Sequence, residues 1–399
     1  MENTGWMKRA LAVLFVVVLT AGFIRNDAVS AITAVSLYLS GKEAVTDDGK
    51  ALTMDAVEKD FSENSPFQKH LIDLNGIVTR TLNMSGFYSS AYGMYITDDC
   101  RIITAEPETT TDYEYESLVD FAGFLNENGI SMLYVNEPVS YLDDSMFAEN
   151  FGVETYSNRN ADKLLERLRA AGINSIDLRD NIREEGLDPE SMFYRTDHHW
   201  TVPTGLWASR IMAEGLNKYC GFNIDLSIYD EDKYSFTTWE KCWLGEQGRL
   251  VGVTRVGLDD FTEVKPDFPT DYTFKDLGYY RGTFDNFIDE SYYTPENDVY
   301  KNMTWHYSYY LHDVINNNVS QGKVLMLVDS YNMVTEPFVS LGVHETDKLD
   351  LRSLDMNSFD LRQYILDNGY DAVLICYAEF MIGAHDDPES YNYNTFTFA

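Results

Sequence analysis

Short, continuous apolar runs recur along this chain, and segments with helical spacing alternate with them. Residues 131–135 (Ser131-Met132-Leu133-Tyr134-Val135), 323–328 and 372–376 have strand length and carry apolar residues at consecutive positions. A strand that is apolar on both faces has to be covered on both, and that is the situation of buried parallel strands in an α/β fold. The spacing predicts helices over 113–127, with Leu118, Phe121, Phe124 and Leu125 on one face, and over 202–219, 332–341 and 359–368. Another is predicted to begin at Asn160 as its cap and to end before Gly172. Weaker strands are read at 175–178 and 349–351. Upstream, residues 67–74 have helical spacing, and 93–97 with 101–103 read as a hairpin around Asp98-Asp99. Residues 221–320 break the alternation. They are rich in Tyr, Asp, Phe and Gly and read as a long insertion with loop and strand character.

Charge and the N-terminus limit the setting. With 65 Asp+Glu against 30 Lys+Arg the formal net charge is −35, so no nucleic acid partner is expected, because such binding needs phosphate-neutralising Lys and Arg. Lys8 and Arg9 precede a mostly apolar run over residues 10–24, which Arg25 and Asp27 close. That layout predicts a signal anchor over residues 1–27 with a cytoplasmic tip, a polar spacer over 28–66, and one domain over 67–399 outside the membrane. The expected location is therefore the cell membrane, single-pass, or outside the cell if the segment is cleaved. Four cysteines form no Cys-x-x-Cys pair; Cys220 and Cys242 could bond to each other.

Two segments carry chemistry. The first is Tyr194-Arg195-Thr196-Asp197-His198-His199-Trp200-Thr201. A neutral His can take a proton from a hydroxyl while a carboxylate orients its other nitrogen. In an extended chain residues i and i+2 share a side, which pairs Asp197 with His199. The same residues could instead ligate a metal, with His306, His312 or His344 as a further donor. The second segment is the apolar run ending in Val328-Asp329-Ser330-Tyr331-Asn332. A serine at the carboxyl end of a parallel strand faces the crevice where ligands bind, and a helix after it would offer N–H groups to an oxyanion.

Taken together, Asp197-His198-His199-Trp200 and Asp329-Ser330-Tyr331 resemble the DHHW protein family, within the SGNH/GDSL hydrolase-like superfamily and its alginate O-acetyltransferase branch. Tyr92-Gly93-Met94-Tyr95, Pro337-Phe338 and Leu349-Asp350-Leu351-Arg352 add to the likeness. The resemblance implies a three-layer α/β/α fold with a mostly parallel sheet, circularly permuted because the triad runs in the order Asp, His, Ser. It implies Ser330 as nucleophile, His199 as base and Asp197 as its orienter, with no metal and no cofactor. The usual Gly-Asp-Ser reads Val328-Asp329-Ser330 here. The oxyanion and substrate candidates are the Ser330 N–H, Asn332, Asn136, Tyr331, His198 and Arg352. The implied activity is transfer or hydrolysis of acetyl groups on a cell-surface or secreted polysaccharide, with a glycan as partner and a membrane acyl-transfer protein as a second one. The aromatic residues of the insertion (Trp239, Trp243, Tyr279, Tyr280, Tyr292, Tyr293, Trp305 and Tyr307) could stack on sugar rings or form a small core of their own. A non-catalytic binding protein on the same scaffold is the reading from another class.

Overall fold

The computed structural model describes residues 68–88, 93–288, 299–300, 307, 313–356 and 358–398. The segment read as an anchor and the spacer up to residue 66 lie outside these, as do Tyr92, Tyr292, Tyr293, Trp305, His306 and His312. Among the described residues no helix is long and apolar enough to cross a membrane. Residues 68–85 and 248–257 form one compact unit, and the remaining described residues form a second. In the first, helix α1 (Gln68–Thr81) meets the turn Val253–Val256. There Thr254 Oγ1 donates to the Asp73 carbonyl at 2.6 Å and Arg255 Nη2 to the Met84 carbonyl at 3.1 Å.

The second unit opens with a small antiparallel sheet of β1 (Gly86–Tyr88), β2 (Gly93–Ile96) and β3 (Ile102–Thr104), the last two turning about Asp98-Asp99 as the sequence suggests. Its main element is an eight-stranded mixed sheet. In chain order its strands are β4 (Ser131–Glu137), β5 (Ser175–Asp177), β8 (Tyr272–Phe274), β9 (Tyr280–Gly282), β10 (Asp313–Asn316), β11 (Lys323–Val328), β12 (Glu345–Leu349) and β13 (Ala372–Ala378). A separate hairpin of β6 (Tyr234–Trp243) and β7 (Asp259–Pro266) precedes β8. Across the sheet the order is β5-β4-β13-β11-β12-β10-β8-β9. The first five are parallel and the last three antiparallel. Three strands of the region read as an insertion thus extend the sheet. They are short, with polar residues between the apolar ones, so no continuous run announces them.

Alternation of side chains along the strands makes two cores. Leu133, Val135, Val324, Met326, Val328, Leu374 and Cys376 point to one face and meet Leu206, Ile211, Met212 and Leu216 of a long helix, α5 (Val202–Tyr219). Met132, Tyr134, Leu325, Leu327, Val373 and Ile375 point to the other. That face is covered by α2 (Asp112–Glu127), α3 (Ser157–Ala170) and α6 (Leu361–Asn368), with Leu118, Phe121, Leu164, Leu168, Leu361 and Ile365 as contacts. A further helix, α4 (Leu178–Glu185), starts at once after β5, with Asp177 as its cap. Trp243, Phe261, Tyr272, Phe274, Phe287 and Tyr307 join the first core, so the described aromatics of the 221–320 region are mostly neither a core of their own nor exposed platforms. Tyr279 and Tyr280 are exposed.

Three local expectations need correction. Asn160 lies inside α3, where its amide bonds the Thr109 N–H and the Pro107 carbonyl. The predicted 332–341 helix is two short pieces, a 3-10 turn Ser330–Met333 and a single turn Glu336–Val339. Pro337 has no N–H to continue a helix from the preceding turn. The strand read at 349–351 lies at Glu345–Leu349, followed by a 3-10 turn. Its Asp347 and Lys348 are buried and polar, which hid it; Asp347 accepts from Lys275 at 2.7 Å and Tyr370 at 2.6 Å. All four cysteines are free, so Cys220 and Cys242 are not bonded.

Candidate active site

Ser330 follows β11, which sits between β13 and β12 in the parallel half of the sheet. The turn that carries it is pinned to its neighbours. Asp329 accepts from the Tyr331 N–H at 2.9 Å and, across the sheet, from the Ala378 N–H at 2.7 Å. Asn332 donates to Glu137 Oε2 at 3.1 Å and to the Cys376 carbonyl at 3.2 Å. The Ser330 N–H has no hydrogen-bond partner among the described residues, so it is available to an oxyanion.

The Asp197–His199 segment is a loop closed by an antiparallel bridge between Phe193 and Trp200. The Tyr194 N–H donates to the His199 carbonyl and the Thr201 N–H to the Met192 carbonyl, at 3.2 and 2.9 Å. Within it Asp197 pairs with His199, as the sequence suggests, but for another reason. The chain bends rather than extends, and Asp197 Oδ1 accepts the His199 N–H at 3.1 Å and its Nδ1 at 2.5 Å. An ionised Asp197 can only accept, so Nδ1 carries the proton of the neutral ring and Nε2 is left as acceptor. His199 Nε2 lies 2.8 Å from Ser330 Oγ, joining residues 131 positions apart. Asp197 and His199 are buried. Burial works against the Asp197 charge, but the His199 ring, its hydrogen bond, His198 and the Glu246 N–H outweigh it and hold the carboxyl below the ordinary carboxylate range.

Two further contacts tie the loop to the serine turn: Trp200 Nε1 donates to the Tyr331 carbonyl at 2.9 Å, and the Tyr331 hydroxyl donates to the His198 carbonyl at 2.6 Å. The loop's other side is held by residues that no motif marks. The Glu246 N–H donates to Asp197 Oδ2 at 2.6 Å. Asp259 accepts from the Thr196 N–H and hydroxyl at 2.8 and 2.6 Å and from Arg195 Nε at 3.2 Å. Gly245 lies against Asp197 so closely that a Cβ there would stand 2.4 Å from the Asp197 Cβ and from the Thr196 carbonyl oxygen. Glycine at 245 is thus required by close approach, and no motif surrounds it.

The remaining candidates are placed less directly. Both amide hydrogens of Asn332 are engaged as described, and Asn136 donates to Asp177 at 3.2 Å and to Glu379 at 3.0 Å. Neither buried amide offers a free donor to Ser330; they organise the carboxyl ends of the strands instead. The Arg352 guanidinium is bound to Asp350 at 2.8 and 2.7 Å and to Asn392 at 3.2 Å. His198 is half-buried, with its ring 3.9 Å from that of His199 and edge-on to Phe380. Burial and the His199 ring keep it below the ordinary histidine value. Asp197, His198 and His199 place ligand atoms within 4.8 Å of one another, a spacing that could hold a metal ion. His344 is not near them in function: its Nδ1 donates to the Val319 carbonyl at 2.6 Å.

Residues 97–275 match the family model described as "ALGX: SGNH hydrolase-like domain, acetyltransferase AlgX". That stretch is similar to an SGNH hydrolase-like domain. The matched stretch includes Asp197 and His199 and ends before Ser330. No curated protein matches the chain in sequence. The structure of Bacillus cereus PatB1 is similar at 18% identity and a TM-score of 0.59, covering 77% of this chain and 99% of that one. A DHHW family protein from Eubacterium siraeum is similar at 16% identity and a TM-score of 0.56, covering 78% and 97%. These two likenesses are of fold. They take in about three quarters of the chain, so the likeness of fold reaches beyond the matched stretch.

Proposed function

We propose that the chain is a serine-dependent carbohydrate O-acetyltransferase or acetylesterase acting outside the cytoplasmic membrane. The observation that carries this reading is the line of contacts Ser330 Oγ, His199 Nε2, His199 Nδ1 and Asp197 at the carboxyl end of a central strand. The match to the AlgX acetyltransferase family supports the acetyl chemistry. Ser330 Oγ attacks the acetyl carbonyl carbon as His199 Nε2 takes its proton, and Asp197 stabilises the imidazolium. The Ser330 N–H holds the tetrahedral oxyanion. As the intermediate collapses, His199 returns the proton to the leaving oxygen, and an acetyl-Ser330 ester remains. A sugar hydroxyl, or water, then gives its proton to His199 and attacks the acetyl carbon, and His199 returns that proton to Ser330 Oγ as the ester bond to it breaks. The net charge of −35 favours a neutral or cationic glycan over an anionic one. The anchor read over residues 1–27 would hold the domain at the membrane, beside a membrane protein that supplies the acetyl donor.

The test is hydrolysis of an aryl acetate and of an acetylated glycan by the full chain and by Ser330→Ala. Acetyl-enzyme on Ser330, seen by mass spectrometry and absent from the variant, is the expected result. Equal rates for the two proteins overturn the serine mechanism. Activity lost to a chelator and restored by zinc would move the chemistry to Asp197, His198 and His199 as metal ligands, and no turnover of any acetyl ester would favour a binding protein. Tighter binding to a uronic acid polymer than to a neutral glycan at physiological salt would overturn the charge argument.

A further inference from the structure

Beside Ser330 lies a small cavity of about 20 Å³, walled by Tyr194, Trp243, Phe261, Tyr307, Met333 and Val334. Space for a single water takes roughly 10–15 Å³ on the same kind of measure, so the cavity admits a group of about methyl size and little more. Its walls do not give easily. Trp243, Phe261, Tyr307 and Met333 are all buried. The Tyr194 and Trp243 rings lie 3.9 Å apart. The Tyr307 hydroxyl is tied to β7, donating to the Val264 carbonyl at 2.7 Å and accepting from its N–H at 3.1 Å. The polar ends of the adjoining Trp200 and Tyr331 are likewise engaged elsewhere, at the Tyr331 and His198 carbonyls. What faces the cavity is thus mostly ring surface and aliphatic side chain, with Ser330 and His199 supplying the reactive polar groups. A sugar ring would find neither the room nor partners for its hydroxyls.

We propose that this cavity is an acyl pocket: it takes the methyl of an acetyl group on Ser330 and excludes longer acyl chains, with Phe261 and Trp243 of the β6–β7 hairpin region and Met333 of the nucleophile turn setting the limit. The proposal rests on Ser330 being the nucleophile. Its geometry is direct, since the acetyl methyl is two bonds from Oγ and so falls at the cavity beside it. Each added methylene has to displace a buried ring, and an apolar pocket discriminates one methylene by about tenfold or more.

The test uses the full chain and two readouts. The first is the rate on p-nitrophenyl acetate, propionate and butyrate. The second needs no turnover: methanesulfonyl and butanesulfonyl fluoride are compared for addition to Ser330, in which the oxygen–sulfur bond forms, fluoride leaves and the proton passes to His199. Acetate is expected to exceed butyrate by a hundredfold or more, and the methyl reagent to label while the butyl one does not. Phe261→Ala, or Met333→Ala on the opposite wall if the first does not fold, should raise the butyrate-to-acetate ratio at least tenfold and admit the butyl reagent. Equal wild-type rates on acetate and butyrate, or an unchanged ratio in a folded variant, overturn the acyl pocket while leaving the serine mechanism standing. Absence of both turnover and labelling overturns the serine mechanism, and the pocket with it.

Discussion

The two halves of the proposed catalytic constellation are held in place by different kinds of structure. Ser330 sits on a turn fixed by the sheet itself, through Asp329 to Ala378 and Asn332 to Glu137 and Cys376. These partners lie at or near the carboxyl ends of adjacent parallel strands, so Ser330 is positioned by the buried centre of the sheet. Asp197 and His199 sit on a loop outside the sheet. Their supports, Gly245, Glu246 and Asp259, come from the segment that follows β6 and from the start of β7. Trp200 and Tyr331 are the clasp between the halves. The difference teaches that the serine half depends on the core, while the acid–base half depends on one loop's exact approach to a hairpin.

The largest expected effect ignores this division. His199→Ala and Ser330→Ala should each lower kcat by about four to six powers of ten, because residues that act as a unit fail together. Steady-state rates on an aryl acetate measure it; a His199→Ala loss of only a few fold would separate the halves chemically as well as structurally. Next is Gly245→Ala, which should lower kcat by about a hundredfold while the chain remains folded, since the added methyl displaces Asp197 and a shift of about an ångström is enough. Retained circular dichroism with lost activity is the signature, and unchanged activity would remove the hairpin from the comparison. Trp200→Phe keeps a buried aromatic ring, smaller than the indole, but deletes the bond to the Tyr331 carbonyl, and should cost about tenfold in kcat. A larger effect on KM than on kcat would show that the clasp serves binding instead.

The smallest effect on rate is expected in the row of carboxylates at the strand ends. Burial lifts Glu379 to about 7, against the Arg179 guanidinium 3.0 Å away and the Asn136 amide. With the unfolded carboxyl near 4.5, the folded chain binds the extra proton between these values. Its contribution to stability is therefore full below about pH 4.5, falls as the pH rises toward about 7, and is level above that. Urea unfolding at pH 4.5 and 7.5 should show a smaller pH-dependent loss for Glu379→Gln than for the parent, with kcat little changed. An equal loss in both would assign the slope to other buried acids.

Much of the parallel half could be read directly. The runs at 131–135, 323–328 and 372–376 are apolar at successive positions because both faces of those strands are covered, and α5 begins and ends where its spacing says, at Val202 and Tyr219. β12 escaped because buried Asp347 and Lys348 take their charge partners from elsewhere in the fold, and β8 and β10 because three or four residues cannot establish a pattern. The Asp197 and His199 pairing was legible since they lie two positions apart and a local bend suffices.

The sequence by itself determined the α/β class, the strand-end position of Ser330 and the Asp197–His199 pair, because periodicity and short-range geometry are local properties of a chain. Only the tertiary structure decided that His199 reaches Ser330 across 131 positions, that the Asn136 and Asn332 amides are already engaged, and that Gly245 must lack a side chain. It also decided that Phe261, Trp243 and Tyr307 close a methyl-sized cavity instead of a core of their own. Those outcomes depend on packing between segments far apart in the chain, and no local pattern encodes which distant surface a side chain will meet.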